Sequence, residues 1–319
     1  MVSETLNLIL QLLIYPGFLF IFCLAFFSEW IMRKFVARIQ SRMGPTYTGY
    51  GGVLQPIADF IKLLGKEDII PALADKPFFT FTPLLYLALP LTAIFILPMA
   101  SQSALISFEG DLIFLEFIFT MLTMMVFLGG FLSGSIFSMV GGVRAAIQLL
   151  GYEIPFLIAL FSPSIPASSL SISKISAWQA QNNAWGLWTQ PIGFSVLVIC
   201  LLAELELLPF DIPEAETEIV AGWNVEFTGR RLALIRLGKD VEVVLASAIL
   251  ADLYLGGPQQ VWIIPPIIIF LAKMFACLLL LGYLKTLFAR FRIDQVLSGM
   301  WKYVVPAAMI QLIILKLIW

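Results

Sequence analysis

Apolar segments long enough to cross a membrane recur along most of this 319-residue chain. A bilayer core requires about 20 consecutive apolar residues per helix. Composition agrees, because 60% of the residues are hydrophobic and only 13% are charged, far from the balance of a soluble domain. We therefore predict an all-α polytopic membrane protein, a single membrane domain over 1–319. It should have about eight transmembrane helices, near 5–28, 78–100, 112–139, 143–161, 191–208, 236–257, 261–284 and 301–319.

Basic residues collect in alternate connections between these segments. The remaining connections contain a single basic residue, Lys174. Because Lys and Arg concentrate on the cytoplasmic side, the sequence predicts a cell inner (cytoplasmic) membrane protein with both termini outside. The first cytoplasmic connection, 29–77, includes VLQPIADFIKLLGKED, whose apolar residues recur at helical spacing. This spacing predicts an amphipathic helix lying in the cytoplasmic interface, with a helix packed on protein as the alternative.

Several apolar segments contain ionisable residues. Such a group near mid-bilayer costs about 3 kcal/mol or more, so it usually faces a cavity or a charged partner. Two explanations remain open: ion pairs that fix helix packing, or a hydrated ion path whose carboxylates change protonation. We favour the path, because these residues occur in adjacent segments. The candidates are Glu116, Glu153, Glu204, Glu206, Lys239, Asp240 and Glu242, accompanied by Arg236, Asp252 and Lys273.

A strongly acidic loop, 203–231, follows the fifth apolar segment. Its residues 203–227, AELELLPFDIPEAETEIVAGWNVEF, include no lysine, arginine or histidine. Pro209 and Pro213 make part of it irregular, and irregular backbone at membrane depth is tolerated only against protein or water. We expect a re-entrant loop over a water-filled chamber, with a wholly solvated loop as the alternative. Its candidate coupling residues are Glu204, Glu206, Asp211, Glu214, Glu216, Glu218 and Glu226.

The chain lacks the residue patterns of metal and redox sites. It has no histidine, and its cysteines, Cys23, Cys200 and Cys277, stand alone in apolar runs. Iron–sulfur, haem and zinc sites need clusters of such residues. We therefore expect no catalytic residue, metal site or cofactor-binding site within this chain.

Three motifs resemble a single family, in the order in which that family carries them. PFDIPEAETEIVAGWNVEF resembles the acidic-loop signature of the complex I membrane subunit that borders the quinone chamber. RKFVARIQSRMGP with LQPIADFIKLLGKEDIIP resembles the family's first cytoplasmic loop, and FARFRIDQVLSGMWK its motif before the last span. The family includes the corresponding subunit of membrane-bound hydrogenases. The resemblance spans nearly the whole chain and implies eight core spans plus interfacial helices.

The resemblance also implies partners and residue roles. It places the subunit between a cytoplasmic redox arm and antiporter-like membrane subunits, with the lipid bilayer around it. Iron–sulfur clusters, and nickel–iron in a hydrogenase, would then belong to partner subunits. The acidic loop and Glu153 would couple electron transfer to movement of protons or sodium. The positions implied to contact the cytoplasmic arm are Arg33, Lys34, Arg38, Arg42, Gly44 and Pro45.

Departures from the family pattern bear on the electron acceptor. Quinone-reducing relatives usually read like AETNRAPFD, whereas this chain reads AELELLPFD, and it has Gly238-Lys239-Asp240 where they commonly carry a glutamate. PFDIPEAETEI resembles ferredoxin-linked, hydrogenase-like complexes more closely, although the first loop keeps its long complex I form. We favour that branch, which includes complexes that reduce sulfur compounds. The alternatives are a donor:quinone oxidoreductase subunit, a stand-alone ion-coupled secondary transporter, and a passive anchor.

Overall fold

The computed structural model describes residues 13–260 and 264–319, which fold into helices and connecting loops without a β-strand. Near its C-terminal end the chain forms a π-helical turn, Met300–Val304. Shorter helical turns lie at Ser164–Ala167, Gly186–Thr189 and Glu216–Ile219. The main helices are α1 (Phe18–Ile39), α2 (Gln55–Leu64), α3 (Lys76–Ile94), α4 (Asp111–Phe131), α5 (Ile136–Phe161), α6 (Ile172–Asn182), α7 (Pro191–Glu204), α8 (Gly229–Tyr254), α9 (Pro266–Leu287), α10 (Ile293–Gly299) and α11 (Val305–Ile318).

Within the described ranges, five helical runs are long and apolar enough to cross a membrane: α3, α4, α5 with the turn after it, α9, and the continuous α10–α11 run. Helix α7 is apolar but shorter. Helices α1 and α8 have sufficient length, but their charged residues lower their hydropathy. The all-α membrane class is therefore confirmed, while the count of eight spans remains a prediction.

Proline and glycine set several helix boundaries. Proline occupies the first turn of α2, α3, α7 and α9, where its missing N–H leaves no intrahelical hydrogen bond unmade. Helix α3 ends at Ile94, short of the predicted end near 100, and it contains Pro83 and Pro90. The third predicted span, 112–139, is divided instead by a turn at Gly134, whose φ is +74°. Glycine adopts this conformation without a steric penalty.

Helix α1 continues beyond the predicted end of the first span at about residue 28. Residues 29–39 are helical, although we expected them to begin the cytoplasmic loop. The charges in this stretch find partners inside the protein, because Arg33 pairs with Glu29 and lies 2.8 Å from Asp59 of α2. Residues 5–12 of the first predicted span and 261–263 of the seventh lie outside the described part of the chain.

Helix α8 lies at the centre of the helix bundle. It packs against α3, α9, α1 and α2, and nearly every residue from Val244 to Tyr254 is buried. Glu242 and Asp252 of this helix are buried among protein groups, whereas Arg230 and Arg236 near its start are exposed. The predicted amphipathic helix is present as α2, which contacts α1 and α8. Ile57 and Ile61 on α2 are exposed, so an apolar face remains for the bilayer interface, as that prediction requires.

Candidate ion-coupling site

A cavity of about 480 Å³ lies between α1, α8, α9 and residues 205–228, the part of the acidic loop between α7 and α8 that we call the acidic segment. We call the cavity the chamber. Its lining includes the cationic side chains Arg33, Lys239 and Lys285. The acidic segment thus borders a charged space along much of its length. The chamber carboxylates are Glu29, Glu206, Asp211, Glu214, Glu216, Asp240 and Glu242.

Lys239 of α8 joins the acidic segment to the helix bundle. Its Nζ lies 2.9 Å from Oε2 of Glu206 and also donates to Oε1 of Glu214. The same ammonium lies 5.5 Å from the centre of the Trp223 ring, close enough for cation–π attraction. Asn224 donates a further hydrogen bond to Glu214. Through these contacts with both carboxylates and the indole ring, Lys239 holds the segment against α8.

Glu206 has an unusual backbone conformation just after the end of α7. Its φ is +52°, in the left-handed region that costs a non-glycine residue roughly 1–2 kcal/mol. Non-glycine residues in this region are concentrated at functional sites. The turn places the Glu206 carboxylate beside Lys239 and 3.4 Å from Nε1 of Trp223. Burial raises the pKa of Glu206 above its ordinary value, and the Lys239 ammonium opposes this rise.

Arginines from elsewhere in the chain bind the middle of the acidic segment. Arg290 lies 2.7 Å from Asp211 and also donates to Thr217, and Arg144 of α5 lies 2.6 Å from Glu218. Burial raises the pKa of Asp211 although Arg290 opposes it. The Arg144 guanidinium lowers the pKa of the exposed Glu218 carboxyl. The two pairs therefore attach the segment to α5 and to the loop after α9.

A second group of buried polar residues adjoins the chamber. Tyr86 donates to Glu242 at 2.8 Å, and Tyr152 donates a short hydrogen bond to Glu204. A small cavity of about 10 Å³ touches Glu204, Glu206 and Glu242 together with both tyrosines. This volume is about the lower limit for one water molecule. The three carboxylates thus share one polar enclosure between α3, α5, α7 and α8.

Helix α4 extends this group away from the chamber. Thr123 lies 3.5 Å from Glu204, and Thr120, one turn earlier, donates to Glu153 at 3.1 Å. Both oxygens of Glu116 are buried without a hydrogen-bond partner among the described residues, and this carboxyl lies next to Glu153. We call the resulting series the carboxylate row; in order from the chamber it consists of Glu242, Glu206, Glu204, Glu153 and Glu116.

The remaining candidates lie outside this row. Glu216 lines the chamber but is exposed, and no hydrogen bond or ion pair joins Glu226 to another described residue. Asp240 faces a different wall of the chamber, where it adjoins Glu29 and Arg33. The structure therefore separates the predicted carboxylates into a central row and a periphery.

The basic first loop also divides into two parts. Arg33 and Lys34 face the protein, since Arg33 lines the chamber and Lys34 donates to the Gly51 carbonyl at 2.7 Å. Arg38 and Arg42 are exposed. Two further positions shape the loop backbone: a side chain at Gly44 would approach the backbone of α1, and Pro45 lies directly against Gly52.

Sequence reasoning missed the tyrosines and Glu29. Tyr86 and Tyr152 are polar partners of the row, yet they lie within apolar segments where aromatic residues are common. Glu29 could have been found, because it stands four residues before Arg33, the spacing at which opposite charges pair on a helix. Extending the helix beyond residue 28 would have made that pairing visible.

The fold and the site can be compared with known proteins. The model of a family described as NADH dehydrogenase matches residues 11–316 of the chain. The match covers every helix described above except the last residues of α11, and it includes the chamber, the row and the first loop. It confirms the resemblance read from the three motifs. The chain belongs to the NADH dehydrogenase family, of the complex I subunit 1 type, and is a membrane subunit of a complex I-like oxidoreductase.

Proposed function

We propose that this protein couples a cytoplasmic redox arm to ion-translocating, antiporter-like membrane subunits. The observation that supports the proposal most directly is the contact between the chamber and the carboxylate row. Glu206 and Glu242 border both the chamber and the small cavity beyond it. A charge change in the chamber would therefore act at short range on carboxylates that lead into the bundle.

The proposed mechanism is electrostatic. Electron transfer in the adjoining arm changes charge or protonation beside the acidic segment. Two unit charges 4 Å apart interact by about 4 kcal/mol at an effective dielectric constant of about 20. One pKa unit corresponds to about 1.4 kcal/mol, so this interaction energy is large enough to shift the pKa of a neighbouring carboxyl. Protonation of Glu206 or Glu242 would then alter Glu204 and Glu153, and through them the neighbouring subunits that carry protons or sodium.

The chamber supports the ferredoxin-linked, hydrogenase-like branch. Glu206, at one of the positions that differ from quinone-reducing relatives, is paired directly with Lys239. A lining with so many carboxylates and cations is unfavourable for the apolar body of a quinone, because unpaired or displaced charges are costly to desolvate. We propose iron–sulfur subunits, and a nickel–iron hydrogenase-like subunit, as partners in the arm. Reduction of quinone remains the alternative outcome of the experiment below.

The first loop is the proposed docking surface for that arm. Arg38 and Arg42 are exposed beside Met43, Tyr47 and Tyr50, which are 92%, 100% and 99% exposed. Aromatic residues, methionine and arginine are enriched in protein interfaces. With this loop in the cytoplasm of a cell whose inner membrane holds the bundle, both termini lie outside, as the distribution of basic residues predicts.

Purification of the intact complex tests the proposal. Iron–sulfur partners should co-purify, and a large partner with two CxxC motifs and bound nickel would identify the hydrogenase branch. If the large partner lacks these two CxxC motifs, the complex passes its electrons to another acceptor, such as a sulfur compound or a quinone. A protein that purifies alone or as a homo-oligomer would instead be a secondary transporter.

Neutralising variants test the role of the carboxylates. Glu214→Gln removes the carboxylate bound to Lys239, and Glu218→Gln removes the one bound to Arg144. Both should lower redox-driven ion uptake by reconstituted vesicles while the complex still assembles. Glu109→Gln is the matched control, because Glu109 pairs with Lys174 in an exposed bridge away from the chamber. Full coupling in the two variants would favour a passive anchor.

A further inference from the structure

A further cavity, separate from the chamber and from the small cavity beside it, lies on the outer face of the bundle and has no charged residue in its lining. This apolar groove has a volume of about 330 Å³ and lies between α7 and the run from α10 to the π-helical turn. Phe210 and Phe291 form one end, with ring centres 6.0 Å apart. Ile199 of α7 lines one wall, and Met300 and Tyr303 of the π-helical turn line another.

The groove spans only half of a bilayer. The wall formed by α10 and the π-helical turn runs from Gln295 to Val304. This wall is roughly 14 Å long at a rise of about 1.5 Å per residue. The hydrocarbon core is about 30 Å thick. A transmembrane helix of a partner subunit would contact the protein through both leaflets, whereas a lipid chain occupies only one. The length of the groove therefore favours a lipid.

The local backbone keeps the groove open. A Cβ placed on Gly299 would have no atom within 4 Å, so the glycine leaves space that a side chain would fill. The adjoining π-helical turn, Met300–Val304, is of a kind that occurs frequently at functional sites. Sequence and backbone thus agree in leaving a lateral opening toward the membrane.

Arg292 lies at the cytoplasmic end of the groove, and Lys302 lies roughly 15 Å farther along the same helical run. Arg292 immediately precedes α10, and both Arg292 and Lys302 are exposed with no ion pair to any described residue. The neighbouring Arg290 is already paired with Asp211, and Asp294 is the exposed acidic residue of α10. Long basic side chains reach from a helix to the headgroup level, and basic pockets between helices on this side bind anionic headgroups.

We propose that the groove binds an anionic membrane lipid of the cytoplasmic leaflet. One hydrocarbon chain lies along Ile199, Met300 and Tyr303, and the phosphate contacts Arg292, toward which the long Lys302 side chain extends along the helix. The Phe210–Phe291 end of the groove adjoins Arg292, so the part of the hydrocarbon chain nearest the phosphate touches Phe210, one residue before Asp211. The amide of Phe291 donates to the Pro209 carbonyl at 3.1 Å. A bound lipid would therefore restrain the acidic segment from its membrane side, opposite the chamber.

Native mass spectrometry of the purified, delipidated complex tests this proposal. Titration with phosphatidylglycerol should give a saturable bound lipid, and phosphatidylcholine should bind at least about tenfold more weakly, which is a difference of roughly 1.4 kcal/mol. The double variant Arg292→Gln/Lys302→Gln should lose that preference. Lys316→Gln, an exposed lysine near the other end of the same run, should keep it.

A second variant tests the hydrocarbon site separately. Gly299→Phe fills the groove and should abolish binding of both lipids, whereas Ile313→Phe, on the exposed face of α11, should bind as the unaltered complex does. Equal lipid binding in the variants and their controls would overturn the proposal. So would cross-linking of Gly299→Cys to a helix of a partner subunit. If Gly299→Phe fails to assemble, the surface double variant decides the question.

Discussion

Lys239→Met removes the cation that two carboxylates of the acidic segment share. In the native protein Nζ lies 2.9 Å from Glu206 and also contacts Glu214. Burial already raises the pKa of Glu206, and Lys239 is the main influence that opposes it. Without the ammonium, the pKa of Glu206 must rise further, because only the longer hydrogen bond from Trp223 then offsets the desolvation of the carboxylate. Glu206 will therefore ionise only at a more alkaline pH.

The expected size follows from the geometry. At 2.9 Å and an effective dielectric constant of about 20, the attraction is about 6 kcal/mol before any reorganisation. Measured effects are smaller, and a nearby cation typically lowers the pKa of a carboxyl by about 1–3 units. The acid limb of the pH profile is the low-pH range in which redox-driven ion uptake falls as Glu206 becomes protonated. It should accordingly move by about 1–3 pH units toward alkaline pH, which is equivalent to about 1.4–4 kcal/mol.

Inverted membrane vesicles containing the assembled complex provide the assay, with ion uptake measured across the pH range. Lys239→Arg keeps the positive charge and should retain the native acid limb. Lys174→Met removes only an exposed pair with Glu109, which solvent screens, so its profile should be unchanged. An assembled Lys239→Met complex with the native acid limb would refute the electrostatic role of this pair.

Three other substitutions test separate parts of the structure. Tyr152→Phe removes the hydrogen bond to Glu204, so uptake should fall at constant assembly, and the unpaired buried group should destabilise the fold by about 1–3 kcal/mol in thermal unfolding. Gly52→Ala places a Cβ 2.2 Å from the Pro45 carbonyl oxygen, so the cytoplasmic arm should dissociate during size-exclusion chromatography. Gly65→Ala, whose Cβ has no atom nearer than 3.7 Å, should keep the arm bound. Gly141→Ala sets a Cβ 2.6 Å from the backbone nitrogen of Trp223, so limited proteolysis should cut the acidic segment faster; unchanged cleavage would contradict this.

The helical membrane class and the concentration of acidic residues after α7 could be predicted from the sequence, because hydropathy and charge are properties of short segments. Helix α1 could not be followed past residue 28, since its continuation depends on partners in α2 and α8. Likewise, nothing in residues 162–190 indicated helix α6, which packs against the end of α8.

Side-chain pairing was predictable only in part. The charges in the sequence predict that Lys239 pairs with nearby carboxylates. Its pairing with Glu206 and Glu214 in particular depends on the turn after α7. The turn requires a positive φ at Glu206, which no glycine or asparagine signals in the sequence. Long-range contacts such as Tyr86 with Glu242 depend on how α3 meets α8, and a single sequence does not record that register.

The burial of α8 has a consequence for how the protein is made. Lys239 and Asp240 lie near the centre of this helix, where each basic or acidic residue opposes insertion by about 2.5–3.5 kcal/mol. As it leaves the ribosome, α8 is therefore a poor candidate to partition into lipid unaided. It must wait beside the translocon until α1 and α3, synthesised earlier, and α9, synthesised later, can shield its charges. Biogenesis of this subunit thus depends on helices that cooperate during synthesis, and an isolated α8 would stay at the membrane surface.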